Sequence, residues 1–502
     1  MKNYFQKKWA ALVVVMLCVT ALLSCSTQEE SEFAFEMPGQ IVSQLGATIE
    51  VPFKAVNISS VSITGVPEGW EVKSVDLVNC IMTIVAPDKF AAADNKIEEN
   101  GLLKMSGFTA AGNTLYQTSY LSLLNQSIDL TDKYANSYVI SQKDTRYTID
   151  VTHKGHTSER INPAKVDVLW QTENYLVDYD SYDAEKGTYT FYVGSKNILN
   201  DSGKVTGTRM PYGNVVLAAY DQNDNIIWSW HLWLTSQMEE ITTSAGVFMD
   251  RNLGANYNGN GSTDTDDIYA SYGLYYQWGR KEPFPRPKDY KFSENQDEKI
   301  VSGSGVTKLF RYVTAEMVKD QKATFDFGSK EYAVAYPFTF ILGTETNDFD
   351  WLYGAHDSAL WSDSSKAKSV NDPCPYGWRV PDGDAFMAFD IDEVEDAAAL
   401  ADVRNMYGWH LVDKTTGVKM FMPGAGRRSY ENGVLTNLNN YGFEHNPMPW
   451  VGYYWTAGVT GGNQSQSMFF DLNTTRAVNN RYQAQKAMYR GNGMQVRCVK
   501  DK

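Results

Sequence analysis

The stretch Asp372-Pro373-Cys374-Pro375-Tyr376-Gly377-Trp378-Arg379-Val380-Pro381-Asp382 constrains the fold of this chain more than any other. Pro373 and Pro375 each fix their own φ and restrict the residue before them, which holds Cys374 in an extended, preset turn. Gly377 frees the chain to bend before Trp378 and Val380 go inside. Asp382, just after Pro381, stands where a helix N-cap would, and Ala385, Phe386 and Phe389 follow at helical spacing. A helix is therefore expected to start at Asp382. Nothing in the segment is a catalytic motif. It reads as the structural keystone of an irregular α+β domain.

At 502 residues the chain has room for about three domains of roughly 100–200 residues each. Its N-terminus has the form of a targeting segment. Lys2, Lys7 and Lys8 make a basic region, and the apolar run 9–23 has signal-peptide length, short for a transmembrane helix. Leu22-Leu23-Ser24-Cys25 resembles a bacterial lipoprotein box. By that resemblance residues 1–24 are a signal peptide and Cys25 becomes the lipidated N-terminus; an ordinary secretory signal cleaved nearby is the alternative. Gln28-Glu29-Glu30, within an acidic tether over 25–36, is similar to the export tag of Bacteroidetes surface lipoproteins. The implied location is the outer membrane, lipid-anchored and facing outward. The formal charge of −15 becomes more negative when the three lysines leave with the signal. A chain that acidic lacks the basic patches that nucleic acid needs.

Once Cys18 and Cys25 are set aside, Cys80, Cys374 and Cys498 remain. Export permits disulfides. Cys374 and Cys498 are expected to pair, tying the keystone turn to a C-terminal strand at 494–499; two free buried thiols are the alternative. Cys80, in the strand-like run 75–85, reads as a small core residue. No cysteine and histidine cluster suggests zinc.

Short alternating runs with turn signals between them, such as Pro67-Glu68-Gly69, predict a β-sandwich over 37–127. Pro67-Glu68-Gly69-Trp70 with the strand after it resembles the Ig-like modules that open many Bacteroidetes surface lipoproteins. A second β-sandwich domain is expected over 128–235, where Asp221-Gln222-Asn223-Asp224-Asn225 signals a hairpin between strands 214–220 and 226–234. In the second of these strands Trp228, Trp230, Leu232 and Leu234 share one face, and Trp233 lies on the other with His231. Either both faces are covered or one is a stacking platform. Trp228-Ser229-Trp230-His231-Leu232-Trp233 resembles a segment preceding the C-terminal domain of some Bacteroidetes surface and fimbria-associated proteins.

Residues 236–502 are expected to form the third domain. Its motifs run in order: Val247-Phe248-Met249-Asp250-Arg251-Asn252-Leu253-Gly254, Tyr275-Tyr276-Gln277-Trp278-Gly279-Arg280, the keystone, Met422-Pro423-Gly424-Ala425-Gly426-Arg427-Arg428, Gly452-Tyr453-Tyr454-Trp455 and Gly493-Met494-Gln495-Val496-Arg497-Cys498. Together they resemble the Fibrobacter succinogenes major paralogous domain family, which is related to C-type-lectin-like and formylglycine-generating folds. The resemblance implies a mixed twisted sheet, one or two helices near 382–390 and 392–405, and much irregular loop.

No catalytic signature is present in the sequence. There is no nucleophile elbow, phosphate loop or His-Glu-x-x-His. His153, His156, His231, His356, His410 and His445 are scattered, without partners at motif spacing. The loop 258–267 offers oxygen ligands but lacks EF-hand spacing, so no metal or other cofactor is expected. The best recognition surface lies between Arg428 and Trp455, where Tyr430, Tyr441, Phe443, Trp450 and Tyr453 stand among Asn and Gly. Packing beneath an irregular loop is the competing reading of each ring.

The expected function is that of a cell-surface adhesin or a tip or accessory component of a fimbria. Its partners would be a glycan or surface protein, with fimbrial subunits and the membrane, through its lipid, as further associates. A glycan-processing enzyme with unrecognised carboxylates is the alternative.

Overall fold

The computed structural model describes residues 33–501 apart from 92–95, 124–125, 201, 204, 291–296, 304–306, 309–310, 315–325, 355, 393–402, 437–450 and 473–480. Strands dominate, and no described helix is long and apolar enough to cross a membrane. The chain divides into two compact units, Met1–Gln126 and Ser127–Lys502. Cys25 lies outside the described residues.

In the first unit one sheet orders Gln40–Ser43, Thr114–Leu123, Asn100–Phe108 and Ser60–Thr64. Another orders Thr48–Pro52, Ile81–Val85 and Glu71–Asp76. Alternate residues go inside: Leu103, Met105 and Leu121 from the first sheet, Val51, Met82 and Ile84 from the second. This is the inward-outward alternation of β-sandwich layers. Cys80 departs from expectation. The run 75–85 is not one strand but a hairpin, and Cys80 sits half-buried in its turn with φ of 54°. Asp76 causes the turn: its carboxylate accepts from the backbone N–H groups of Val78 and Asn79.

In the second unit a six-stranded sheet orders Ser137–Ile140, Ile226–Leu234, Gly213–Tyr220, Lys165–Gln171, Ile300–Val301 and Thr307–Lys308. The hairpin predicted at 221–225 joins its second and third strands, with the Asp221 carboxylate accepting from the N–H groups of Asn223 and Asn225. Strand Ile226–Leu234 is buried on both sides. Trp228, Trp230, Leu232 and Leu234 pack with Tyr147, Ile149, Phe191 and Val193 from the sheet formed by Thr145–Asp150, Thr188–Val193 and Asp178–Asp183. Trp233 packs on the opposite face with Leu253, Trp278, Trp361 and Trp455. The expected boundary at 235 and 236 therefore falls inside one continuous core, and the sheet itself takes in strands beyond residue 300. Neither tryptophan face is a stacking platform.

The keystone turn is pinned from several directions. Cys374 and Cys498 are bonded, with Cα atoms 6.1 Å apart, across 124 residues. The Lys368 ammonium, buried, donates to the carbonyls of Cys374, Pro375 and Trp378 at 2.7, 3.0 and 2.6 Å. Asp372 accepts from the N–H groups of Cys374 and Val380, each at 2.8 Å. Ser137 Oγ donates to the Pro373 carbonyl at 2.6 Å, so the edge strand of the six-stranded sheet grips the turn. Trp378–Arg379 then pairs with Val499–Lys500, which pairs with Gly246–Met249.

The helix expected at 382–390 does not form. Only a single 3₁₀ turn, Ala385–Ala388, appears before the strand Phe389–Ile391. Asp382 is drawn into a bidentate pair with Arg379 at 2.9 and 3.0 Å instead of capping a helix. Phe386 and Phe389 pack on Phe248, and Phe389–Ile391 pairs with Gly408–Asp413. Of the second expected helix, residues 393–402 lie outside the described residues, and 403–405 are helical.

Candidate functional site

Of the five expected recognition residues, Tyr441, Phe443 and Trp450 lie outside the described residues. Tyr453 is a correction. It is buried, its ring against Phe469 at 5.0 Å and under the Arg427 guanidinium at 5.7 Å, so it offers no face to a ligand. Its strand, Val451–Gly461, lies between two neighbours, and burial there follows from the sheet rather than from the residue.

Tyr430 is half-buried and meets two rings that sequence reasoning did not single out. Phe349 lies 5.0 Å from Tyr430 and 4.7 Å from Tyr489, and Tyr430 and Tyr489 are 5.2 Å apart. All three are half-buried, so each keeps part of its surface in solvent. Burial, with Glu431 beside it, pushes the Tyr430 phenol up to about 12, and it stays a neutral hydroxyl at physiological pH.

The backbone beneath this cluster is strained. Asp348 and Phe349 are consecutive non-glycine residues at φ of 50° and 61°. A bulky side chain in this region costs on the order of 1–3 kcal/mol and persists only where its surroundings over-determine it. Here they do. Phe349 N–H donates to the Thr344 carbonyl, Gly491 N–H donates to the Phe349 carbonyl, and Asn463 Nδ2 donates to the Asp348 carbonyl. The loop lies so close to its neighbours that a Cβ at Gly491 would stand 2.6 Å from the Phe349 oxygen. No motif marks Phe349 or Tyr489. The tandem left-handed conformation is the signal, and it is tertiary.

Two carboxylates flank Phe349 in the chain. Asp348, whose side chain is 69% exposed, and Asp350, almost wholly buried, both reach His356, at 3.4 Å to Nε2 and 2.9 Å to Nδ1. Burial holds the Asp350 carboxyl above its usual range, opposed by the His356 hydrogen bond. Both ring nitrogens of His356 thus face carboxylates, and neither is aimed at a nucleophile among the described residues.

The remaining described histidines also have packing partners or burial. His153 bonds Asp150 at 2.7 Å and stacks on Tyr134. His231 lies between Ser137 Oγ and Asn214 Oδ1, and full burial pushes it down to about 3. Burial also lowers His156 and His410. In the loop 258–267 the Asp264 carboxylate caps the short helix Thr265–Ala270, and Asp267 accepts from Ser262 Oγ. Among the described residues no group of three or more metal-ligating side chains comes together.

No family model matches the chain. No curated protein matches it either. Among solved structures, the SrpA adhesin of Streptococcus sanguinis is 14% identical over 23% of this chain and 68% of its own, with a TM-score of 0.15. The D00-D0 domain of intimin is 11% identical over 40% of this chain and 96% of its own, with a TM-score of 0.18. Cadmium-bound SporoSAG is 9% identical over 39% and 96%, with a TM-score of 0.20. At such scores these likenesses carry no argument about what this chain does.

Proposed function

We propose that this chain is a non-enzymatic recognition protein of a bacterial cell surface. On this reading it is a lipoprotein anchored in the outer membrane through Cys25, and its C-terminal half belongs with the Fibrobacter major paralogous, lectin-like domains. It acts as an adhesin, or as a tip or accessory component of a fimbria, and takes a glycan or a protein partner. The observation that carries the reading is the ring surface of Phe349, Tyr430 and Tyr489. Three partly exposed rings converge over a strained backbone that neighbouring loops hold in place, a rigid and amphipathic contact area that loses little conformational entropy on binding.

The test is binding of the full-length protein to a glycan array and to proteins of the native cell envelope, beside Tyr430→Ala and Tyr489→Ala. Capture that the wild type makes and both variants lose, with unchanged thermal unfolding, supports the reading. Equal capture by wild type and variants removes the ring surface from it. Palmitate labelling that survives Cys25→Ala would remove the lipid anchor.

A further inference from the structure

A cleft of about 650 Å³ opens at one end of the six-stranded sheet, within the range of roughly 300–1,000 Å³ typical of small-ligand sites. It shares no lining residue with the ring surface and stands independently of the reading above. One wall, with Arg209 and Tyr212, leads into the strand Gly213–Tyr220. The other, with Asn256, Tyr257 and Asp266, comes from the loop and short helix beyond the sheet. The floor is set in advance. Arg251, buried and paired with Asp250, donates to Ser236 Oγ at 2.6 Å, to Thr235 Oγ1 at 2.9 Å and to the Asn256 carbonyl at 3.4 Å.

Sorting the charged groups of the cleft shows what is left for a ligand. Glu173 is paired with Lys196, and Arg286 is paired with Glu298 at 2.8 Å. Asp267 accepts from Ser262 Oγ at 2.8 Å, a neutral donor that leaves its charge uncompensated. Among the other polar groups of the cleft, three bear on a ligand. The Asp266 carboxylate is one. The Arg209 guanidinium, which donates to the neighbouring Met210 carbonyl and lies over the Tyr212 ring at 5.6 Å, is the second. The Asn256 side-chain oxygen is the third, buried with no hydrogen bond at all. A buried acceptor left unpaired costs about 1–3 kcal/mol, which a ligand hydroxyl would relieve.

Two carboxylates, Asp266 and Asp267, thus stand against one guanidinium, Arg209, with no ion-pair partner among the described residues. An anionic ligand would meet both carboxylates, and a cationic one would meet Arg209. What both accommodate, together with the amide oxygen, is a set of hydroxyl groups. Tyr257, 39% exposed, adds a ring face on which C–H surfaces stack. We propose that this cleft binds a neutral saccharide, its hydroxyls taken by Asp266, Arg209 and Asn256 and its apolar face by Tyr257.

Isothermal titration and saturation-transfer NMR of the full-length protein with lactose, cellobiose, chitobiose and mannotriose test this, with 3′-sialyllactose as the charged comparison. At least one neutral sugar is expected to bind. Tyr257→Ala and Asp266→Asn are each expected to weaken it roughly tenfold, the cost of one lost contact of about 1.4 kcal/mol. Tyr257→Phe keeps the ring and is expected to keep most of the affinity. Tyr116→Ala, an exposed ring in the first unit, is expected to leave it unchanged. The proposal is overturned if none of the four neutral sugars binds at millimolar concentration or if sialyllactose binds tighter than all of them. It is also overturned if the two cleft variants, shown folded by their thermal transitions, bind as the wild type does.

Discussion

The keystone turn around Cys374 and the ring surface around Phe349 belong to the same compact unit, yet they are built by opposite means. In the turn, buried polar groups are matched: Lys368 supplies protons to three carbonyls, Asp372 accepts two N–H groups, and a disulfide ties the result to the C-terminal strand. At the rings, side chains stay half in water and the backbone holds two residues in a conformation they disfavour. The difference locates stability and recognition in separate places. A site can tolerate strain because a satisfied frame elsewhere supplies the stability that offsets it.

The contrast can be broken first at the turn. Replacing both Cys374 and Cys498 with Ala frees a loop of 124 residues, for which chain entropy gives an upper loss of about 4–5 kcal/mol. Denaturant midpoints should fall by that order, while ring-surface binding in the folded fraction stays. Lys368→Met comes next. It leaves three carbonyls and Asp372 around an apolar tip, and loss of one member of a buried charged cluster costs about 3–5 kcal/mol. Unfolding in urea at neutral pH checks it; a change below about 1 kcal/mol would mean the turn is held without the lysine.

A pH series sharpens the comparison within the frame. His231 is neutral when folded because burial pushes it down to about 3, whereas an unfolded chain restores an ordinary value near 6.5. The unfolded state therefore binds the extra proton, and this contribution is intact above about pH 6.5. Between there and about pH 3 it is lost at roughly 1.4 kcal/mol per pH unit. His231→Gln should flatten that part of the stability profile relative to wild type; parallel profiles would refute the assignment. The smallest effect on stability belongs to the rings. Phe349→Gly relieves the left-handed strain while deleting a partly exposed ring, so the two contributions offset and stability should shift by about 1 kcal/mol or less. Binding at the surface should nevertheless be lost. Retained binding would show that the strain serves something other than recognition.

How far the sequence could be read depended on the range of the forces involved. The Asp221-to-Asn225 hairpin was legible because its capping carboxylate and its turn residues are neighbours in the chain. The pairing of Cys374 with Cys498 was legible because few cysteines remained once the N-terminal two were set aside. The helix at Asp382 was misread for the converse reason. A favourable local cap lost to an ion pair with Arg379 and to a strand pairing with residues more than a turn away in sequence. Tyr453 was misread because aromatic residues in a glycine-rich stretch look alike whether a neighbouring strand covers them or not.

By itself, the sequence determined the β-rich character, the rigid Pro-Cys-Pro turn and the alternation that puts tryptophans on both faces of Ile226–Leu234. All of these follow from φ restriction, residue chemistry and a period of two, which act over a few bonds. Only the tertiary structure decided that both tryptophan faces are covered and that residues on either side of 235 share a core. It alone brought Phe349, Tyr430 and Tyr489 together across 140 residues of chain, and opened a cleft between Arg209 and Asp266. Burial and convergence are properties of surfaces removed from water jointly, and no single stretch of chain carries the information about which other stretch will cover it.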